Sequence, residues 1–173
     1  MSAWPSFLGL VVGSALIVGH GLLKRADYRF PWLVNFTGSL PRGLYEEVRC
    51  DLEDPTALIQ FSPPADVQAL YVARGYLTER TSLVKPLGGF PGDEACWGDS
   101  GLSINGRRVV DIPVADAMDR PLPHPSGCEV IANDRVLPLQ TDHPRSLDGR
   151  YFGAIPRASI LACVRPLWVA PPK

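Results

Sequence analysis

The longest apolar run in the chain lies near its N-terminus. Residues 7–23, FLGLVVGSALIVGHGLL, carry no charge, and Lys24 ends the run. A stretch of about 17 apolar residues is at the lower limit for a membrane-spanning helix. Residues 1–6 have no charged side chain, so the basic start typical of a cleaved signal peptide is missing. The pattern favours a retained membrane anchor over residues 1–25, with a removed signal segment as the alternative.

From residue 30 onward the apolar positions form short runs with turn signals between them, as in β proteins. The predicted strands are Ala57–Phe61, Ser82–Leu87, Leu102–Ile104, Arg108–Ile112, Cys128–Ile131, Arg135–Leu139 and Ile160–Val164. Asn105–Gly106 predicts a tight hairpin turn, and Asn133–Asp134 predicts a second hairpin between its flanking strands. Ala65–Arg74, ended by Gly75, is the one predicted soluble helix. We therefore expect a mainly β, antiparallel domain over residues 30–173.

Composition and charge exclude several classes of protein. Apolar residues make up 46% of the chain, too many for a disordered protein. The net charge of −1 leaves no basic excess for phosphates, so we expect no nucleic-acid partner. The cysteines form no C-x-x-C pair, and we expect no metal or organic cofactor. A metal-binding module built on His124, Cys128 and His143 is kept as an alternative, although their spacing matches no ligand pattern.

Lys85 is the first candidate for chemistry. It lies in SLVKPLGGFPGD and is the one lysine that is neither terminal nor beside the apolar run. Its neighbours Leu83, Val84, Leu87 and Phe90 are apolar, and desolvation lowers the pKa of a lysine. A lysine that is neutral near pH 7 can deprotonate a serine hydroxyl. The alternative is a strand lysine that points into water.

Two further segments carry hydroxyl and carboxyl groups. Ser39 lies in NFTGSLPRGLY, where Gly38 and Pro41 predict a turn that exposes its hydroxyl. Ser146 and Asp148 lie in HPRSLDGRYFG. Taken alone, each segment is more typical of an ordinary polar turn.

The order of these segments changes that interpretation. An apolar N-terminal run is followed by SLPRGLY, RGYL, KPLGGFPGD, INGR and SLDGRYFG. This series resembles the conjugative-transfer signal peptidases of the TraF type, a branch of the signal peptidase I clan. The resemblance extends from about Asn35 to Trp168. It implies a signal peptidase I-like, β-rich catalytic domain behind one N-terminal transmembrane or signal-anchor helix, acting as a Ser/Lys serine endopeptidase.

The resemblance also implies roles for individual residues. Ser39 matches the nucleophile and Lys85 the general base. Thr37 matches the hydroxyl that joins the nucleophile's N–H in the oxyanion hole. Ser146 matches the serine that hydrogen-bonds the lysine, and Asp148 matches the acidic residue of the last motif. The arginine after it, Arg150, matches a structural ion-pair partner.

Departures from the family pattern keep two other functions open. Gly149 replaces the second serine of the last motif, Thr141–Asp142–His143 replaces its usual lead-in, and Glu53–Asp54 replaces a G-D pair. These changes affect the surroundings of the lysine, so a degenerate member that binds precursors or acts as a scaffold of a conjugative secretion system is one alternative. A general leader peptidase is a second alternative, although its S-M-x-P motif is replaced here by S-L-P-R-G.

The resemblance further implies a location and partners. Family members act at the bacterial inner membrane with the catalytic domain facing the periplasm, where they cleave or cyclise a conjugative pilin or other secreted precursor. Type IV secretion components are expected partners. The family likeness implies a Cys96–Cys128 disulfide, against an alternative of free thiols, and leaves Cys50 and Cys163 unassigned. Lys24, Arg25 and Arg29 favour the opposite orientation by the positive-inside rule.

Overall fold

The computed structural model describes residues 30–99 and 101–171 of the protein, and residues from Trp32 onward form one compact unit. The anchor expected over residues 1–25 lies outside this described part. Within it, no helix is long and apolar enough to cross a bilayer.

The described residues form eleven β-strands, two α-helices and one 3₁₀ turn. The strands are β1 (Trp32–Asn35), β2 (Gly43–Val48), β3 (Leu58–Phe61), β4 (Leu83–Gly89), β5 (Glu94–Gly98), β6 (Gly101–Ile104), β7 (Arg107–Val110), β8 (Gly127–Val130), β9 (Arg135–Pro138), β10 (Ile155–Pro156) and β11 (Ile160–Val169). The helices are α1 (Ala65–Ala73) and α2 (Gly149–Phe152), and the 3₁₀ turn is Arg157–Ser159.

The strands form two sheets. A seven-stranded sheet has the order β1-β2-β11-β3-β4-β9-β10, and a four-stranded sheet has the order β7-β6-β5-β8. Every strand pairing within these two sheets is antiparallel, which confirms the expected mainly β, antiparallel body. Strand β4, which carries Lys85, lies between β3 and β9 near the middle of the larger sheet.

Each sheet packs one face into an apolar core. Ile59, Phe61, Leu87, Val136 and Ile155 belong to the core of the larger sheet. A second core on the smaller sheet includes Ala95, Trp97, Leu102 and Ile131, and it also takes in Leu137 from β9. Because β9 contributes to both cores, the two sheets are joined along the strand beside β4.

Local signals locate several elements correctly. Asn105 and Gly106 have φ of 51° and 75°, the paired positive values of a tight hairpin turn, and they join β6 to β7. Helix α1 begins at Ala65 as predicted, and Gly75 follows its end with φ of 76°, a conformation that glycine adopts without strain.

The second predicted hairpin is wrong. Strands β8 and β9 exist, but they do not pair with each other: β8 pairs with β5 and β9 pairs with β4 and β10. Ile131 exchanges backbone hydrogen bonds with residues 92–93, so the chain leaves the small sheet there and enters the large one. Four strands were not predicted: β1, β2, β5 and β10.

Two disulfides cross-link the described part of the chain. Cys96 and Cys128 are direct cross-strand partners on β5 and β8, so the bond implied by the family resemblance is present. Cys50 and Cys163, which the sequence left unassigned, form the second bond and tie the end of β2 to β11. Because Cys128 is oxidised, the alternative metal site with His124 and His143 fails.

Candidate active site

Ser39 lies in the turn between β1 and β2, and the Asn35 side chain folds that turn. Its amide nitrogen donates to the carbonyl oxygens of Leu40 at 3.2 Å and Pro41 at 3.1 Å. Its amide oxygen accepts from the N–H of Thr37 at 3.0 Å and from the Thr37 hydroxyl at 2.7 Å. The turn therefore presents the half-buried Ser39 side chain at a fixed position. Sequence reasoning missed this role of Asn35.

Lys85 approaches Ser39 from the buried face of β4. Strand alternation places it on the same face as the buried Leu83 and Leu87, and opposite Ile59 of β3. Only 4% of Lys85 is exposed, so the alternative of a lysine pointing into water is wrong. The Lys85 Nζ donates to the Ser39 Oγ at 2.6 Å.

Burial lowers the pKa of the Lys85 amine to about 8. The Asp148 carboxylate opposes that effect and the Arg150 guanidinium adds to it. Both influences are smaller than the cost of keeping an ammonium away from water. Near neutral pH a usable fraction of Lys85 is therefore the free amine, which can accept a proton.

Asp148 and Arg150 form a fully buried pair under the site. Arg150 Nε donates to Asp148 Oδ1 at 2.8 Å and Arg150 NH2 donates to Oδ2 at 3.1 Å. The remaining guanidinium donors reach the backbone carbonyls of Gln140 and Pro144 at 2.6 and 2.9 Å. The carboxylate also accepts the N–H of Gln140, so neither charge lacks partners. Arg150 is thus a structural ion-pair partner, as the family resemblance implies.

The Ser146 hydroxyl does not make the hydrogen bond to Lys85 that the family resemblance implies. Ser146 is 1% exposed and borders the same cleft as Lys85. Its Oγ has no hydrogen-bond partner among the described residues. The Lys85 amine is instead directed at Ser39. Burying a hydroxyl without a hydrogen-bond partner costs free energy of folding. The Ser146 hydroxyl can therefore gain a hydrogen bond from a group that enters the cleft.

Gly149, the departure from the family motif, is explained by packing. A Cβ at this position would lie 2.4 Å from Leu137 Cδ1 and 2.8 Å from the Pro138 carbonyl oxygen. The Gly149 carbonyl accepts from the Trp97 indole N–H at 3.2 Å, which ties α2 to the small sheet. A serine side chain has no room here in the present packing.

Gln140 connects the segment before Ser146 to the turn that carries Ser39. Its Nε2 donates to the Ser39 carbonyl oxygen at 2.8 Å, and its Oε1 accepts the N–H of Asp142 at 3.1 Å. The residue is 8% exposed. No sequence signal marks this contact, because 101 residues separate its two partners along the chain.

The predicted oxyanion-hole groups are in different states. The Ser39 N–H has no hydrogen-bond partner among the residues that the structure describes. The Thr37 hydroxyl, in contrast, donates to Asn35 in this structure. The hydroxyl must give up this hydrogen bond before it can donate to a substrate oxygen.

An open cleft of about 780 Å³ runs past Ser39 and Lys85. Its lining is largely apolar and includes Leu33, Leu77, Leu83, Pro113, Leu122 and Leu147. This size and character suit an extended, apolar peptide segment rather than a small polar ligand.

One wall of the cleft is a loop held by Asp116. Its carboxylate accepts from Arg120 Nε at 2.8 Å and from Arg74 NH1 at 3.5 Å, and it also accepts the N–H groups of Met118 and Arg120. Arg74 further donates to the Pro121 carbonyl at 2.8 Å. These contacts fix the connection between β7 and β8 against the end of α1.

The chain is similar to a known family of peptidases. A model of the family described as signal peptidase, peptidase S26, matches residues 46–168. The matched part includes Lys85, Ser146 and Asp148 and begins seven residues after Ser39.

Individual proteins are also similar. The plasmid transfer protein TraF of Escherichia coli is 31% identical over 156 residues, which cover 84% of this chain and 88% of that protein. The probable conjugal transfer protein TraF of Sinorhizobium fredii is 30% identical over 167 residues, covering 91% and 86%. A crystal structure of signal peptidase I from Enterococcus faecalis is 20% identical, with a TM-score of 0.36 over 63% of this chain and 93% of that chain. On the family match and the two transfer proteins, the chain belongs to the signal peptidase family, peptidase S26.

Proposed function

We propose that this protein is a serine endopeptidase in which Ser39 is the nucleophile and Lys85 is its general base. The observation that carries the proposal is the 2.6 Å contact between Lys85 Nζ and Ser39 Oγ, made by a lysine that is 4% exposed. A buried amine with a pKa of about 8 can take a proton from a serine at physiological pH.

The reaction proceeds in two halves. Neutral Lys85 accepts the hydroxyl proton while Ser39 Oγ attacks the carbonyl carbon of the scissile peptide bond. As the C–N bond breaks, the Lys85 ammonium returns that proton to the leaving amine, which leaves an acyl ester on Ser39. Water then attacks the ester with Lys85 again as the base, and Ser39 regains its proton.

The negative oxygen that forms in each half needs hydrogen-bond donors. The unpartnered Ser39 N–H is one, and the Thr37 hydroxyl is the second after it leaves Asn35. Loss of one such donor typically reduces the rate about 100- to 1000-fold.

The substrate that we propose is a pilin or another secreted precursor of a conjugation system. The support is the similarity to proteins named as plasmid and conjugal transfer proteins. If an amine of the substrate replaces water in the second half-reaction, the product is cyclic, and the chemistry at Ser39 is the same.

We further propose that the catalytic domain faces the periplasm from the inner membrane, where conjugative type IV secretion components are its partners. The two disulfides, Cys50–Cys163 and Cys96–Cys128, support this side of the membrane. Disulfides persist in oxidising compartments and are rare in the cytosol. The cations that follow the apolar N-terminal run argue for the opposite side, and accessibility of an introduced cysteine in intact spheroplasts would decide between them.

Processing of a co-expressed precursor tests the proposal. Ser39→Ala and Lys85→Arg are both expected to stop processing while the protein still accumulates, since a guanidinium cannot act as a base. Ser62→Ala, which removes an exposed hydroxyl elsewhere, is the matched control and retains activity. Mass spectrometry of the precursor reports cleavage, and loss of one water reports cyclisation. Normal processing in the presence of the Ser39→Ala protein would exclude the proposed peptidase function and favour a precursor-binding or scaffold role.

A further inference from the structure

The charged groups of the cleft are mostly cationic. Besides Lys85, the lining includes two exposed arginines, Arg80 and Arg145, and one acidic residue, Asp116. Neither Arg80 nor Arg145 has a side-chain hydrogen bond or ion pair within the part of the chain that the structure describes. The protein as a whole has a net charge of −1, so this sign is a local property of the cleft.

The single carboxylate of the lining does not neutralise these arginines. Asp116 is bound to Arg120 and Arg74, and its side chain is 6% exposed. Glu79 and Asp142, the acidic neighbours of the two arginines along the chain, are not part of the lining. Two guanidinium groups at the cleft are therefore left without a counter-charge.

The arginines come from the segments that also carry the proposed machinery. Arg80 precedes Lys85 by five residues, in the turn that leads into β4. Arg145 directly precedes Ser146. His143 borders the same cleft, and its Nδ1 is buried without a hydrogen-bond partner. Polar residues without side-chain partners from both segments thus line one cavity.

We propose that Arg80 and Arg145 bind the side-chain carboxylate of an aspartate or glutamate in the substrate, close to the bond that is cleaved. The guanidinium fork matches a carboxylate with two parallel hydrogen bonds, which fixes position as well as charge. A cleft with cationic groups and apolar walls also concentrates an acidic segment before it docks. The inference specifies the substrate class for the proposed peptidase, and it predicts binding even where no cleavage follows.

Peptide binding to the full-length Ser39→Ala protein in uncharged detergent micelles tests this without catalysis. The probes are short alanine-serine peptides with an amidated C-terminus, a rhodamine label of zero net charge and a central pair of glutamates, glutamines or lysines. Fluorescence anisotropy should show the glutamate peptide binding about tenfold more tightly than the glutamine peptide at low salt, and the lysine peptide more weakly than both. High salt should reduce the preference.

Two double variants assign the preference to the cleft. Arg80→Gln with Arg145→Gln should abolish the difference between the glutamate and glutamine peptides. Arg49→Gln with Arg107→Gln removes the same charge from exposed positions outside the cleft and should keep the difference. A protein with both charges reversed, Arg80→Glu with Arg145→Glu, should prefer the lysine peptide.

The proposal is overturned if the two peptides bind equally, if the glutamate peptide does not bind, or if the cleft double variant keeps the preference. Failure of the proposed peptidase function would be seen separately, as precursor processing that continues in Ser39→Ala. A glutamate preference that disappears only in the cleft double variant supports the inference whatever the outcome of the processing experiment.

Discussion

Replacing Lys85 with methionine is expected to abolish activity and to stabilise the folded protein near neutral pH. The two side chains have similar length and volume, so the buried position opposite Ile59 stays filled. What the change removes is an amine that burial holds at a pKa of about 8 rather than at 10.5.

The size of the effect follows from that difference of about 2.5 pKa units. At about 1.4 kcal/mol per unit, a protonated Lys85 costs the fold about 3 kcal/mol below pH 8. Loss of its hydrogen bond to the Ser39 hydroxyl offsets about 1 kcal/mol of the gain. Lys85→Met should therefore raise the free energy of unfolding by about 2 kcal/mol at neutral pH.

Because burial lowers the pKa of Lys85, the stability of the folded protein should rise with pH, whereas a lysine whose pKa is raised by a partner makes stability fall with pH. Between pH 8 and 10.5 the unfolded chain binds the Lys85 proton and the folded chain does not, so wild-type stability rises with pH in this window. The advantage of Lys85→Met should accordingly disappear by about pH 10. Lys85→Arg keeps its charge at every pH and should show no such recovery.

Urea unfolding of the full chain in uncharged micelles, followed by tryptophan fluorescence with the disulfides intact, measures these differences at about pH 7 and about pH 10. A Lys85→Met protein that is less stable than wild type by the same amount at both pH values would show that burial does not lower the pKa of the Lys85 amine. Lys85 would then be hydrated, and its role as a neutral base would have no physical support.

Three other predictions concern the same site. The kcat/KM for precursor cleavage should rise about tenfold per pH unit below pH 8 and level off above it, as read from initial rates, since Lys85 must be neutral. Asp148→Asn leaves Arg150 buried without a counter-charge and should lower the free energy of unfolding by about 3–5 kcal/mol. The same variant should move the kcat/KM profile to lower pH, because the Asp148 carboxylate raises the pKa of Lys85. Gly149→Ser restores the family motif but overfills a packed position, so it should lower the unfolding free energy by about 1–3 kcal/mol in urea titrations.

What the sequence predicted well depends on local chemistry. Asn105–Gly106 encodes its turn in two residues, and helix α1 ends where Gly75 permits a positive φ. The apolar neighbours of Lys85 indicate a desolvated amine but leave a water-facing lysine open, and the structure buries the side chain on the same face of β4 as Leu83 and Leu87.

What the sequence did not predict depends on pairing between distant segments. Strands β8 and β9 look like a hairpin because a short turn separates them, yet Cys128 pairs with Cys96 across the small sheet. Ala95 and Trp97 alternate with more exposed neighbours as the buried positions of β5, a local pattern that is typical of a strand. The contact from Gln140 to Ser39 has no local signature at all, because its two ends meet only after the large sheet has formed.

Direct titration of the Lys85 amine shows whether this side chain can be neutral near physiological pH. The chain has only three lysines, Lys24, Lys85 and Lys173, so a protein labelled with ¹³C at lysine Cε gives a spectrum simple enough to assign with Lys85→Arg. We expect the Cε resonance that is lost in Lys85→Arg to titrate with a pKa of about 8, and Ser39→Ala to leave this value close to 8, since burial is its main cause. A Lys85 resonance that titrates near 10.5, the ordinary value for a lysine, would show that the amine is charged at neutral pH and cannot be the base.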